Sequence, residues 1–287
     1  MKKLLLASTA LVMSAGVAAA DVSLSGNGRM GIVYDGDDFG FNSRLRVQFD
    51  LSGETDGGLA FGGSIRADNA AGAGGGNIEA ATPGMSEGSV FISGEFGRLS
   101  MGDVSGAAEF IVGDLAGVGL TGLRFLNENA YLSNDDRPAA RYDYSFDGFT
   151  FAISADEPRA SDTVSIAVGY EMMGFGAGVG YERASSDLDH VIGYLSAEFE
   201  GITAKATYGR VPSSAPFARR DQFGVSVSGS IDAITVSAYG RRDFDDNTHY
   251  GVGGAFALGG GASLVGGIVR DGGPDDVIGD FGISFSF

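Results

Sequence analysis

The last eight residues, Asp280-Phe281-Gly282-Ile283-Ser284-Phe285-Ser286-Phe287, put every large apolar side chain on one parity and every small or polar one on the other. Successive side chains of a strand point to opposite faces, so the segment is predicted as a strand with one apolar and one wet side. In water, such an aromatic face invites pairing with other chains. Against lipid it is at home, provided that the other face lines a water-filled interior. The alternation recurs along the chain. Val22, Leu24, Met30, Ile32 and Tyr34 oppose Ser23, Ser25, Asn27 and Arg29. Leu45, Val47, Phe49 and Leu51 oppose Arg44, Arg46, Gln48 and Asp50. Phe149, Phe151 and Ile153, and further on Ile202, Ala204, Ala206 and Tyr208, follow the same rule. No helical period competes over a comparable length.

Two kinds of connection separate these segments. Some are short and rich in Gly, Asp or Glu, such as Asp147-Gly148, Glu200-Gly201 and Gly259-Gly260-Gly261; others are long and polar, such as 69–87, 105–137, 158–162 and 212–221. Short turns at one rim and long loops at the other are the pattern of an outer-membrane barrel rather than of a soluble sandwich. Counting segments predicts an all-β chain: a 16-stranded antiparallel transmembrane β-barrel with an inward-folded constriction loop. Closure satisfies the backbone polar groups within the membrane, and a barrel this wide leaves an aqueous lumen. The 49 glycines lack a three-residue period and lie within alternating segments, which favours packed strands over disorder. Trp is absent, so the interfacial belts fall to Tyr34, Tyr142, Tyr144, Tyr170, Tyr181 and Tyr208, with Phe281 and Phe287.

Residues 1–20 combine Lys2 and Lys3, an apolar run from Leu4, and Ala18-Ala19-Ala20. This is the layout of a cleaved signal peptide, leaving 21–287 as one barrel domain. An exported chain without Cys is not a disulfide-stapled domain. Removing Lys2 and Lys3 from the 19 basic residues leaves 17 against 37 acidic ones, a formal −20. A general nucleic-acid partner is thereby excluded, because it would need a basic surface.

A wide pore needs an element that narrows and charges it. The 105–137 connection lacks alternation, and a structureless loop of that length is uncommon unless functional. It mixes apolar anchors (Phe110, Ile111, Val112, Leu115, Phe125) with Glu109, Asp114, Glu128, Asp135 and Asp136. Folded inward, it places these acids in the lumen; the competing arrangement is an external flap over the barrel mouth. Arg29, Arg44, Arg46 and Arg66 occupy the polar parity of the first three strands and point into the same lumen. A basic wall facing an acidic loop makes a transverse field that a polar solute can align with. Each arginine alone is equally compatible with a cross-strand salt bridge. The acidic excess favours weak cation selectivity. The lumen parity is rich in Gly, Ser and Thr, which leaves space for an open pore.

Several segments resemble the general porins of alphaproteobacteria: the opening Val22-Ser23-Leu24-Ser25-Gly26-Asn27-Gly28-Arg29-Met30-Gly31, Ser43-Arg44-Leu45-Arg46-Val47, Phe96-Gly97-Arg98-Leu99-Ser100-Met101-Gly102-Asp103, the Gly259–Ser263 turn and the terminal Phe287. The resemblance implies a homotrimeric outer-membrane channel whose third loop forms an eyelet, embedded in outer-membrane lipid and lipopolysaccharide and passing ions and small hydrophilic solutes. It also implies that Arg29, Arg44, Arg46 and Arg66 form the basic wall, and that Glu109, Asp114, Glu128, Asp135 and Asp136 lie in the acidic loop. Some members bind calcium near the constriction, which clustered loop carboxylates would allow here. No other cofactor is implied.

Two motifs are decoys. Gly26-Asn27-Gly28-Arg29-Met30-Gly31 has dinucleotide spacing but no following helix. Asp35-Gly36-Asp37-Asp38 starts like a calcium loop, yet position 46 is Arg where the bidentate Glu belongs, so it reads as a hairpin tip. The rivals to a diffusion pore are a structural barrel or adhesin with a blocked lumen, and an outer-membrane hydrolase. A hydrolase would pair Ser with His, but His190 and His249 come with no nucleophile motif and read as loop or rim residues.

Overall fold

The computed structural model describes residues 21–68, 84–85, 88–133, 139–157, 162–184, 188–212 and 217–287. The expected signal peptide, and Asp135 and Asp136 of the expected acidic loop, lie outside the described residues. Strands β1 (Asp21–Tyr34), β2 (Phe39–Glu54) and β3 (Ala60–Asp68) open the wall. The next wall strand, β4, is in two pieces, Gly84–Met85 and Ser89–Gly94, which both pair with β3 at registers one residue apart. Then come β5 (Gly97–Gly102), β6 (Ala139–Phe146), β7 (Phe149–Asp156), β8 (Val164–Met172), β9 (Phe175–Ala184) and β10 (Leu188–Phe199). The wall ends with β11 (Ile202–Arg210), β12 (Asp221–Ile231), β13 (Ile234–Arg242), β14 (Thr248–Gly259), β15 (Ala262–Asp271) and β16 (Asp276–Ser286).

Every neighbouring pair is antiparallel, and β16 returns to β1 with Asn27 opposite Ser286 and Ile32 opposite Phe281. The sixteen strands therefore close, and the sheet has no free edge. Backbone bonds between Gly26 and Phe287 fasten the two ends of the wall at the short-turn rim. The shortest turns follow the twist of their strands: Asp147-Gly148, Met173-Gly174 and Glu200-Gly201 each place two residues at positive φ, the geometry of a two-residue hairpin.

The parity reading holds along the wall. Leu24, Phe41, Leu45, Ile166, Leu195, Val225 and Phe281 are exposed on the outside, while Asn42, Ser154, Glu182, Thr207, Gln222 and Asp280 are buried on the inside. The buried apolar clusters do not lie between wall strands. They form where residues 103–133 meet the inner wall, as Leu115, Val118 and Leu123 against Tyr239, Val269 and Ile278, and as Ala108 and Val112 against Ile192 and Tyr194.

Candidate functional site

Residues 103–133 enter the barrel and run along its inner wall. The first of them are secured by β6, where Arg141 donates to the Ser105 carbonyl at 2.9 Å and lies over the Phe110 ring. Helix α1 (Ala107–Val112) follows; its N-cap is Gly106, which has no capping side chain. Wall serines take over that task. Ser154 Oγ accepts from the Ala107 amide at 2.8 Å and Ser165 Oγ from the Ala108 amide at 2.9 Å, satisfying amides that a helix start leaves without partners.

Lumen-facing glycines make the seat. A Cβ on Gly180 would stand 2.5 Å from the Ala108 Cβ, one on Gly178 2.8 Å from Ile111, and one on Gly253 2.9 Å from Val118. On Gly31 or Gly282 it would stand 2.7 Å from Leu120. The sequence expectation that these glycines leave open pore is thus corrected: they clear a track for the loop from β9 round to β1. Close packing leaves no room for another methyl there.

Two buried carboxylates latch the loop to this track. Asp280 of β16 accepts from the Leu120 amide, the Thr121 amide and the Thr121 hydroxyl, at 2.8, 2.7 and 2.7 Å. Glu182 of β9 accepts from the Leu132 and Ser133 amides at 3.0 and 3.2 Å, and its carboxylate lies 2.8 Å from His190 Nδ1. Gln222 of β12 clasps Ala130 by both its amide and carbonyl groups, at 2.9 and 2.8 Å. Lys205 of β11 donates to the Asp114 carbonyl at 2.9 Å, and Arg241 of β13 to that of Leu126 at 3.3 Å. Such charged hydrogen bonds in a low-dielectric seat are the strong kind.

Between the latches the loop makes an unusual turn. Leu123, Arg124 and Phe125 all have positive φ, at 45°, 65° and 54°. Non-glycine residues in the left-handed region cost about 1–2 kcal/mol each. Full burial of Leu123 and the 2.9 Å ion pair from Arg124 to Asp271 of β15 hold the turn.

The predicted basic residues all face the lumen but differ in their partners. Arg29 and Arg44 are cross-strand neighbours. Arg29 donates to Asn42 at 2.9 Å and reaches the carbonyls of Leu120 and Thr121 at 3.3 and 3.4 Å, so it grips the loop tip instead of facing it across a gap. Arg44 donates to Asn27 at 2.9 Å. Arg46 forms a 2.8 Å ion pair with Asp68, and Arg66 approaches the same carboxylate at 3.7 Å.

Of the predicted acids, Glu109 lies in α1 and is partly exposed, and Glu128 is exposed. Asp114 is partly occupied inside the loop, where it accepts from the Asn129 amide at 2.8 Å. Among the described residues no three His, Cys, Asp or Glu side chains converge to hold a metal. A calcium site built from the described loop acids therefore does not fit, since Asp114 is turned to the loop backbone. The Asp35 segment is the expected hairpin tip: its carboxylate accepts from the Asp37 and Asp38 amides. Those bonds hold its pKa below the usual carboxylate value.

His190 lies at the long-loop end of β10, two residues from the strand start, but it is almost wholly buried on the lumen side, beside Glu182 and Gln222. Burial beneath the folded loop is a tertiary fact that strand parity allowed but did not announce. His249 does sit by the long-loop rim, 3.0 Å from Asp243 and 3.3 Å from Asp271. The latches Glu182 and Gln222 had a weak signal: each is a large polar residue on a strand whose lumen parity is otherwise held by Gly, Ala or Ser.

The comparisons agree with this architecture. The Gram-negative porin family matches residues 7–276. A porin of Rhodobacter capsulatus is 35% identical over 310 residues, covering 93% of this chain and all of the relative. A refined porin structure superposes with a TM-score of 0.79 at 32% identity, covering 93% of this chain and all of the other. A triple mutant of the Rhodopseudomonas blastica porin shares the fold, with a TM-score of 0.69 at 22% identity over 93% of this chain and all of the other. With its closed sixteen-stranded wall and a loop seated in the lumen, the chain belongs to the Gram-negative porin family and is an outer-membrane channel for passive diffusion.

Proposed function

We propose that the eyelet of this channel lies between the seated loop and the inner wall of β2 and β3, with Arg44, Arg46 and Arg66 on one side and Glu109, Asp114 and Glu128 on the other. Asp135 and Asp136 belong to the same acidic segment, and Arg29 serves as its anchor on the basic side. The observation that carries this reading is the path of the loop. Among the described residues, its hydrogen-bonded anchors run from β6 through β16 to β1, and Asn42 of β2 orients Arg29. The guanidiniums of β2 and β3 are therefore left beside the remaining lumen.

Solutes that pass are ions and small hydrophilic molecules, drawn through a field directed across the constriction. Asp68 offsets part of the charge of Arg46 and Arg66, and the chain is strongly acidic. The channel is weakly cation selective. It is a homotrimer, exported by a signal peptide cleaved before Asp21, with the uncharged outer face of the early strands as the contact between copies. Glycines at 26 and 28 on that face let walls approach.

The test is single-channel recording of the purified protein in a planar bilayer with salt asymmetric across it. Conductance steps in groups of three and a zero-current potential slightly towards cations are expected. Replacing Arg44, Arg46 and Arg66 together by Ala shifts that potential further towards cations. A wild-type potential favouring anions overturns the selectivity, an unshifted potential in the triple variant overturns the basic wall, and silent insertion of a folded barrel overturns the open pore.

A further inference from the structure

Helix α1 divides its side chains between wall and lumen. Ala107, Ala108 and Val112 are buried, while Phe110 stays exposed. One face of the Phe110 ring carries the Arg141 guanidinium at 3.8 Å. The ring also borders a hollow of about 500 Å³ between α1 and the short Asp147-Gly148 turn, a volume within the range of small-molecule sites. The wall side of the hollow comes from the inner parity of four strands: Ser145 of β6, Thr150 of β7, Gly169 and Glu171 of β8, and Tyr194 of β10. Tyr194 reaches it by lying across β9, whose glycines leave the room. A Cβ on Gly178 would stand 2.7 Å from the Tyr194 ring, and one on Gly176 3.4 Å from its hydroxyl.

The charge of the hollow has one sign. Two carboxylates line it, Glu171 and Asp147, and no lysine or arginine does. The two bases beside α1 are committed to the loop: Lys205 donates to the Val112 and Asp114 carbonyls, and Arg141 to that of Ser105. Glu171 is exposed. Among the described residues its carboxylate has no ion pair, and its one hydrogen-bonding contact is the Tyr194 hydroxyl, 3.5 Å away. The Ser145 and Thr150 hydroxyls are bonded to each other at 2.9 Å. What the hollow offers a guest is therefore an uncompensated acid and an aromatic ring.

We propose that this hollow binds small aromatic amines on their way through the channel, with the guest ring on Phe110 and its ammonium on Glu171 beside Tyr194. Aromatic pairs favour offset or edge contacts, which leave Arg141 in place on the far face of Phe110. An ammonium brings three donors and no acceptor, and its hydrogen bonds to a carboxylate are of the strong, charge-assisted kind. A sugar is the poorer guest, because its many hydroxyls need several free polar partners and the Ser145–Thr150 pair is already joined. An aromatic acid meets two like charges and no base. The site rests on the reading of the lumen as an open channel and adds a class of solute that is retained there.

The test titrates 2-phenylethylamine into the folded, detergent-solubilised full-length protein by calorimetry, against a detergent-only blank, and follows single-channel current noise in a planar bilayer with the same compound. Saturable heat and added noise are expected. Methylammonium has the charge without the ring and phenylacetate the ring with the opposite charge; each should bind at least about tenfold more weakly. Glu171→Gln keeps the shape and removes the charge, and should weaken binding of 2-phenylethylamine by about tenfold or more. Phe110→Leu keeps apolar bulk under Arg141 and should weaken it by roughly threefold to tenfold. Heat-modifiable mobility reports the barrel and conductance in potassium chloride reports the channel, so loss of either is distinguished from loss of the site. Intact conductance with neither heat nor noise overturns the site alone. A folded barrel that does not conduct overturns the channel reading, and the site with it. Equal binding of 2-phenylethylamine by the Glu171→Gln variant, or equal binding of methylammonium or phenylacetate by the wild type, overturns the proposal as well.

Discussion

Replacing Asp280 by Asn keeps the shape of the latch and removes its charge. The carboxylate receives three hydrogen bonds from Leu120 and Thr121, all between 2.7 and 2.8 Å, in a buried site. An amide offers one oxygen and turns an NH2 group towards donors that have no other acceptor among the described residues. Hydrogen bonds to a charged partner contribute about 1.5–3 kcal/mol each, and an unsatisfied buried donor costs about 1–3 kcal/mol. Losing one bond and weakening the others comes to about 3 kcal/mol, or roughly a hundredfold in the equilibrium for lifting the loop tip. The sixteen-stranded wall does not depend on this contact, so the variant should still fold and show heat-modifiable mobility. Hydrogen exchange at Leu120 and Thr121 should accelerate by about two orders of magnitude, and the open channel should become noisy as the tip lifts and reseats. Exchange at these two amides within about threefold of wild type, with a quiet channel, would refute the view that Asp280 holds the tip.

Two further outcomes follow from the same geometry. Gly180→Val places a Cβ where Ala108 now stands, which displaces α1 from its seat at a cost of about 1–3 kcal/mol; bilayer recording should show an altered conductance in a barrel that still inserts, and an unchanged conductance would mean that the seat is not tight. The outer 243–247 turn should be acid sensitive. Burial raises the pKa of Asp243, but hydrogen bonds from His249 and Asn247 outweigh it and leave the pKa below its ordinary 3.8. A depressed carboxylate stabilises the folded turn above 3.8 and loses that contribution as pH falls through the still lower folded value; carbon-detected titration should place Asp243 below 3.8, and Asp243→Asn should remove the acid dependence of amide exchange at Asn247.

The wall was legible in the sequence because strand parity is local. A period of two, visible in Val22–Tyr34, Arg44–Leu51 and Asp280–Phe287, assigns each side chain to lipid or lumen without knowledge of its neighbours, and the outward Leu45 and Phe281 with the inward Asn42 and Asp280 follow it. Short Gly-containing turns gave the hairpin order, and an apolar outer face demanded closure. These facts, with the motif resemblance, were enough for the fold and for a diffusion channel.

The constriction was legible only in outline. That the 105–137 segment folds inward could be argued from its length and its apolar anchors, but not where it would lie. Its position depends on residues 47 to 160 places away in sequence, such as Ser154, Glu182, Gln222 and Asp280. The same tertiary path brings Arg29 against the loop tip, where it reaches the Leu120 and Thr121 carbonyls. It also turned the lumen glycines from open space into a seat. Parity dictates which face a residue occupies; only the closed barrel decides what it meets there, because that neighbour is brought in by the curvature of the whole wall rather than by the adjoining chain.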